Sequence, residues 1–258
     1  MNSTRRQIEK IKAGITSGIL SGKNQYKHAV IRSIERIYLR NSTDGSIDLP
    51  ELSRDLKRNL KLPASFQNEI LKKVYTSQQE ISGLWDEYFS KTTGRSYTAN
   101  DVDKLHALYQ VEFAGVEEEI RNKVLKEVRT AVKGEYGFKS ISKKLQNSGM
   151  GIYTAENLTR TALAQFDNSY HVEVAKQAGV VYYLYDGDTS ENTRPFCHSH
   201  VGRVYTLTEL AHMNNRQGLP VTSSLGGYRC QHFLTALIGY DRKEPGEIYN
   251  PAHHDLAA

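Results

Sequence analysis

Cysteine is nearly absent from this chain: there are two in 258 residues, Cys197 and Cys230. Two thiols cannot build a disulfide scaffold, and their scarcity suits a reducing cytoplasm. Long apolar runs are absent too, and without about 18 consecutive apolar residues no segment reads as a bilayer-spanning helix. The opening MNSTRRQIEKIKAGITSGILSG has basic residues but no continuous apolar stretch, so it does not read as a secretory signal. No internal repeat is visible. No aromatic–basic interleaving or DNA-binding motif appears, which argues against sequence-specific nucleic-acid recognition.

The residues present describe a folded, polar-surfaced chain. Apolar residues make up 38% and charged residues 24%, and the mean hydropathy is −0.57. That is enough for a core under extensive polar helix surface. The length fits one large domain or two smaller ones. The net charge of +5 is unevenly spread. Residues 1–75 carry 15 Lys and Arg against 7 Asp and Glu, while the remainder carries 19 against 22. The basic N-terminal third offers a surface for non-specific DNA contact, for an acidic protein face, or simply for solvent.

Periodicity predicts helices in the first half. Val30, Ile34 and Ile37 mark one over residues 25–40. Residues 41–50 read as a turn or loop. Ser65 is a natural N-cap for a helix carrying Phe66, Ile70, Leu71 and Val74. Leu84, Trp85, Tyr88 and Phe89 extend its apolar face. Thr98 to Asp101 resembles a capping box, and Leu105, Leu108, Val116, Ile120, Val124, Val128 and Val132 follow as a ladder closed by Gly134. Glu117–Arg121 and Glu119–Lys123 flank it as i, i+4 pairs. Read as one helix of about 33 residues, it would be about 50 Å long. It would serve as an assembly rod, a helical hairpin or a core helix.

The second half changes character. Thr154 can cap a helix running to Ala178 and ended by Gly179. Residues 180–188 read as a strand, 201–207 as a strand or hairpin edge, and 228–240 as a further strand. Thr206 and Glu209 form a capping box for a helix over 207–214, and residues 215–227 read as loop. The expected class is α+β, with a short antiparallel sheet. The expected organisation is a helical assembly domain over 1–150, an α+β domain over 151–240, and an unstructured polar tail over 241–258.

Two clusters carry the chemistry. Cys197-x2-His200 and Cys230-x-His232 together offer two thiols and two imidazoles, a complete tetrahedral set for structural Zn²⁺. Four protein ligands would leave no open position, which argues against hydrolysis. His198 would be the spare. Three other readings stay open. The residues can pack and hydrogen-bond without an ion, the cysteines can pair as a disulfide, or a thiol can act as a nucleophile. Asp186, Asp188 and Glu191 would supply the acids for a metal-dependent hydrolase or nuclease, but their Gly, Ser, Thr and Asn neighbours are those of a turn.

The order of features from Arg160 onward resembles the C-terminal domain of the phage Mu F-like minor head proteins, also called phage head morphogenesis proteins. Arg160 and Thr161 open the match, and Gly179 ends its helix. Asp188, Thr193, Arg194 and Pro195 carry its centre. Cys197, His200 and Gly202 follow, and Gly226, Gly227, Cys230 and His232 complete it. The resemblance covers about residues 155–237. This chain departs from it at Ala162, where many members have Glu, and at Gln231, where many have Arg. The resemblance implies a non-enzymatic virion protein of the head interior or portal region, made in the host cytoplasm. Its implied partners are the portal protein and capsid or other head proteins, and its implied role is head morphogenesis with DNA packaging or ejection. It implies that the motif residues maintain the fold.

Overall fold

The computed structural model describes residues 3–21, 23–43, 46–99, 102–133, 138–147 and 152–253. Among them are eleven helices and five short strands, an α+β architecture dominated by helix. In chain order the first half holds α1 (Ser3–Ser21), α2 (Lys23–Arg40), β1 (Ser42–Thr43), β2 (Ser46–Ile47), α3 (Leu49–Asn59), α4 (Ala64–Thr93), α5 (Val102–Leu108), α6 (Ala114–Lys133) and α7 (Phe138–Asn147). The second half holds α8 (Ile152–Gln177), β3 (Tyr182–Asp186), α9 (Pro195–His200), β4 (Val204–Thr206), α10 (Leu207–His212), α11 (Val221–Ser224) and β5 (Phe233–Leu237). No helix among the described residues is long and apolar enough to cross a membrane.

Two compact units arise from interleaved segments rather than from consecutive halves. One joins the N-terminal segment to Ala13, Val74–Gln110 and the chain from Thr159 on; the other joins Gly14–Lys73 and Val111–Leu158.

The second unit is helical. Val30, Ile34 and Ile37 of α2 are buried, as their spacing predicts, and Tyr26 stacks on Phe66 at 4.3 Å. The α3 helix begins inside the stretch that reads as loop. Asp48 caps it by accepting from the Glu51 N–H at 2.9 Å, and Pro50 fits its first turn. Along α6, Val116, Ile120, Val124 and Val128 are all buried. Glu119 and Lys123 pair at 2.9 Å. Glu117 is instead buried, accepting from the Leu62 N–H at 3.0 Å and from Lys61 at 3.2 Å.

The single long helix expected over 98–133 is two helices. Glu112 falls on the rung where the ladder needs an apolar residue. Val111 and Phe113 are both buried, two residues apart, a spacing that one helix face cannot serve. The Tyr109 carbonyl accepts from Gln78 at 3.0 Å. Leu108 is 69% exposed, and His106 is buried on α5 instead. The ends assigned to Asp101 and Gly134 lie outside the described residues, as does the side chain of Thr154, which sits within α8.

In the first unit a three-stranded antiparallel sheet runs β4-β3-β5 with β3 central. Alternation along β3 buries Tyr183 and Tyr185 on one face. The other face packs Tyr182 and Leu184 with Val204, Leu237, Tyr240 and Tyr249. This second face corrects the unstructured tail. Residues 241–253 fold back over the sheet, with Ile248 bridged to Arg203 and the Tyr249 N–H donating to the Gly202 carbonyl at 2.8 Å. Glu247 is buried and accepts from the Tyr240 hydroxyl at 2.6 Å and the Lys243 N–H at 3.0 Å. Polar composition hid these contacts because buried Glu247 is satisfied by Tyr240, Lys243 and His253.

Gly179 closes α8 as expected. Its φ of 79° lets its N–H reach the Lys176 carbonyl and the Val180 N–H reach that of Ala175. The capping box on α10 is complete: Thr206 Oγ1 accepts from Glu209 N–H at 3.2 Å, and Glu209 accepts from Thr206 N–H at 2.7 Å. Thr206→Ala is expected to cost about 1 kcal/mol. Thermal melting should show it as a drop of about 2–4 °C.

The centre of this unit holds a buried ion cluster. Asp167 on α8 is fully buried between Arg5, Lys12 at 3.1 Å and the Trp85 indole N–H at 2.8 Å. Arg5 lies over the Trp85 ring at 4.8 Å and the Phe233 ring at 4.2 Å. One turn on, His171 stacks on Trp85 at 4.0 Å.

Candidate metal centre

Three segments bring the Cys/His clusters together, and α8 anchors two of them. Asn168 donates to the Ser223 carbonyl and accepts from the Leu234 N–H, both at 3.2 Å. Thr161 accepts from the Arg229 N–H at 3.2 Å, and Gln165 donates to Ser224 at 2.7 Å. The helix thus holds both sides of the loop that presents Cys230.

The first cluster follows β3. Thr193 closes a turn by accepting from the Ser190 N–H at 2.8 Å. Pro195 then opens α9, where its fixed φ suits the first helical position. One turn carries Cys197 and His200, but their side chains part. Cys197 is buried; its Sγ accepts from the Tyr185 hydroxyl at 3.4 Å. His200 Nδ1 pairs with the Tyr205 hydroxyl at 2.7 Å, and its ring packs on Phe196 at 4.5 Å. Tyr205 is buried, so its hydroxyl needs a partner, and His200 supplies it. His198 is exposed, as expected.

The second cluster sits in a tight loop before β5. Leu225, Gly227 and Arg229 all have positive φ, at 44°, 94° and 60°. This alternation turns the chain so that the Gly226 N–H donates to Cys230 Sγ at 3.3 Å. Arg194 locks the loop to the first cluster by donating to the Gly226 carbonyl at 3.2 Å and the Tyr228 carbonyl at 2.6 Å. Cys230 and His232 precede the strand rather than lying on it, so the turn, not the pleat, aligns them.

The result is a compact set of three donors. Cys197 Sγ and Cys230 Sγ are 3.7 Å apart, and Cys230 Sγ lies 3.5 Å from His232 Nδ1. Both cysteines are free thiols. Ligating atoms of Cys197, Cys230 and His232 lie within 4.8 Å of one another, close enough to hold a metal ion. His200, the expected fourth ligand, is not among them. The pair of thiols is electrostatically split. The Cys197 S–H hydrogen bond, with those of His232 and the Gly226 N–H, lowers Cys230 and favours its thiolate. The same bond to Cys230 and burial raise Cys197. His232 is 8% exposed, and its Nε2 is buried without a hydrogen-bond partner among the described residues.

Glycine makes the set fit. A Cβ on Gly226 would stand 2.2 Å from Cys197 Sγ and 3.1 Å from Cys230 Sγ. Gly226→Ala is therefore expected to separate the thiols. Titration with a thiol reagent should find Cys197 more reactive than in the wild type and Cys230 less so, because separation takes from Cys230 the hydrogen bond that favours its thiolate. Gly187, which sequence reading placed in an ordinary turn, is also constrained. Its φ is 133°, and a Cβ there would meet the His232 ring carbon Cδ2 at 3.0 Å. Tyr185 was missed as well; its only signal was the alternation that turns it inward.

All three donors line one pocket of about 410 Å³, joined by Arg160, Asp188, Thr193, Arg194 and Arg229. The motif residues thus fall into two groups. Arg160, Asp188, Thr193 and Arg194 border this pocket, whereas Pro195, Gly202 and Gly227 shape the backbone around it. No protein-family model, no curated protein and no solved structure matches this chain, so its functional reading rests on these residues and their geometry.

Proposed function

We propose that this chain is a structural protein of a tailed-phage head, of the minor head kind that its motif order resembles. It acts in head morphogenesis and in DNA packaging or ejection, bound to the portal protein and other head proteins, with its basic N-terminal third available to DNA. On this reading it is not an enzyme. One observation carries it: the residues of the motif order are the joints of the clasp. Arg194 ties the two clusters through the Gly226 and Tyr228 carbonyls, and Gly226 lies against both sulfurs.

The clasp is read as a structural zinc site. Two sulfurs on one tetrahedral zinc stand about 3.8 Å apart, and a sulfur and an imidazole nitrogen about 3.6 Å. The corresponding separations here are 3.7 Å and 3.5 Å. Protein bound to purified heads, and a portal gene beside this one, are the expected findings. A metabolic operon around the gene would overturn the phage assignment.

A second reading, a metal-dependent hydrolase or nuclease, gains support from one feature. Three donors rather than four face a pocket that also holds Asp188. It predicts DNA nicking with some divalent ion that disappears in His232→Ala. Failure to nick across the common ions would sink it.

A further inference from the structure

We infer that the pocket beside Cys197, Cys230 and His232 binds a phosphate dianion, with one phosphate oxygen at the open position of the bound metal. The inference rests on the metal reading above. It follows from donor count and charge.

Three protein donors leave a tetrahedral ion one position short. All three donor residues line the pocket, which places it beside the ion's open position. Two thiolates neutralise a divalent zinc, so the centre itself carries no net charge. The lining does: Arg160, Arg194 and Arg229 outnumber Asp188, which leaves an excess of two positive charges. A phosphate dianion balances that excess, and a single carboxylate does not. Arginine is also the side chain whose planar fork matches phosphate oxygens.

The roles of the three arginines differ. Arg194 spends two N–H groups on the Gly226 and Tyr228 carbonyls, so it contributes charge and fixes the wall. Arg160 and Arg229 are exposed at the rim. Arg229 is held in a left-handed conformation, φ 60°, with its N–H on Thr161. That conformation is uncommon for a non-glycine residue and sets where its side chain leaves the backbone.

The phosphate can come from free inorganic phosphate or from the phosphorylated end of a nucleic acid. The test uses full-length protein loaded with Co²⁺, whose visible absorption bands report the atoms around the ion. Inorganic phosphate should shift these bands saturably, while chloride at equal ionic strength should not. Arg160→Gln and Arg229→Gln should each weaken phosphate binding by about tenfold while leaving the phosphate-free spectrum unchanged. That unchanged spectrum shows the site is intact in each variant.

A 5′-phosphorylated oligonucleotide, compared with its 5′-hydroxyl twin, separates the sources. A response to the phosphorylated strand alone or to inorganic phosphate alone supports the inference and names the source. Bands that ignore both phosphates overturn it while leaving the metal reading intact. Phosphate binding that is unaffected by both arginine variants overturns it as well. Protein that takes up no Co²⁺ or Zn²⁺ defeats the metal reading itself.

Discussion

Cys197→Ser is expected to abolish metal binding and to lower the melting temperature by about 8–16 °C. The arithmetic starts from linkage: an ion present at about a thousand times its dissociation constant stabilises the fold by about 4 kcal/mol. In a chain of this size each kcal/mol moves the midpoint by about 2–4 °C. Cys197 is the right probe because it is 2% exposed and central, touching both Cys230 and Tyr185. Serine keeps the size and hydrogen-bonding ability but is a poor ligand for a soft site. Chelator-treated wild type should melt close to the variant. If the variant melts low while chelation changes nothing, packing alone holds the clasp.

Asp167→Ala should be comparably damaging, at about 3–5 kcal/mol, because it leaves a buried guanidinium uncompensated. Arg5 is 3% exposed and Asp167 is fully buried, so solvent cannot replace the lost partner. Urea unfolding should place the loss in the unit that carries the sheet.

The same cluster sets an acid limit. Burial alone would raise the Asp167 carboxyl, but Arg5, Lys12 and the Trp85 hydrogen bond outweigh it and hold it well below the usual carboxylate range. A depressed acid contributes stability above its unfolded value of about 4 and loses it as pH falls toward the folded value. His171 acts over a higher window. Burial, then the Arg5 charge, lowers it to about 3, so it stays neutral in the fold. The unfolded chain takes up that proton below about pH 6.5, so stability falls from there toward pH 3. His171→Phe, which keeps a ring against Trp85, should flatten the profile between pH 6.5 and 4. A profile unchanged by the substitution would show that His171 is not buried in its neutral form.

What the sequence revealed depended on how far apart the interacting residues lie. The Thr206–Glu209 box and the Gly179 stop involve neighbours within five residues, and both formed as read. The ladder from Val116 to Val128 was equally plain. Its extension back to Leu105 failed because Val111 and Phe113 needed burial on a spacing that helix cannot supply. The α3 start was legible in Asp48, Pro50 and Glu51, but the Asn, Asp and Gly before it masked the signal. The Arg5–Asp167 pair spans 162 residues, and no local pattern could announce it.

The candidate metal site shows the same division. Cys197, Cys230 and His232 meet, as their residue types suggested. His200 fitted the spacing equally well, yet Tyr205, five residues on, claims it. That choice depends on where β4 pairs with β3, which the cluster itself does not encode. Likewise Gly226 reads as a flexible turn residue, and only the fold shows that two sulfurs occupy the space where a Cβ would be.

Metal content tests the central claim most directly. Protein purified without chelator should carry one zinc per chain in the wild type and in His200→Ala, and none in Cys197→Ser or Cys230→Ser. A metal-free wild type, or a His200→Ala protein that loses its zinc, would contradict a clasp built on Cys197, Cys230 and His232.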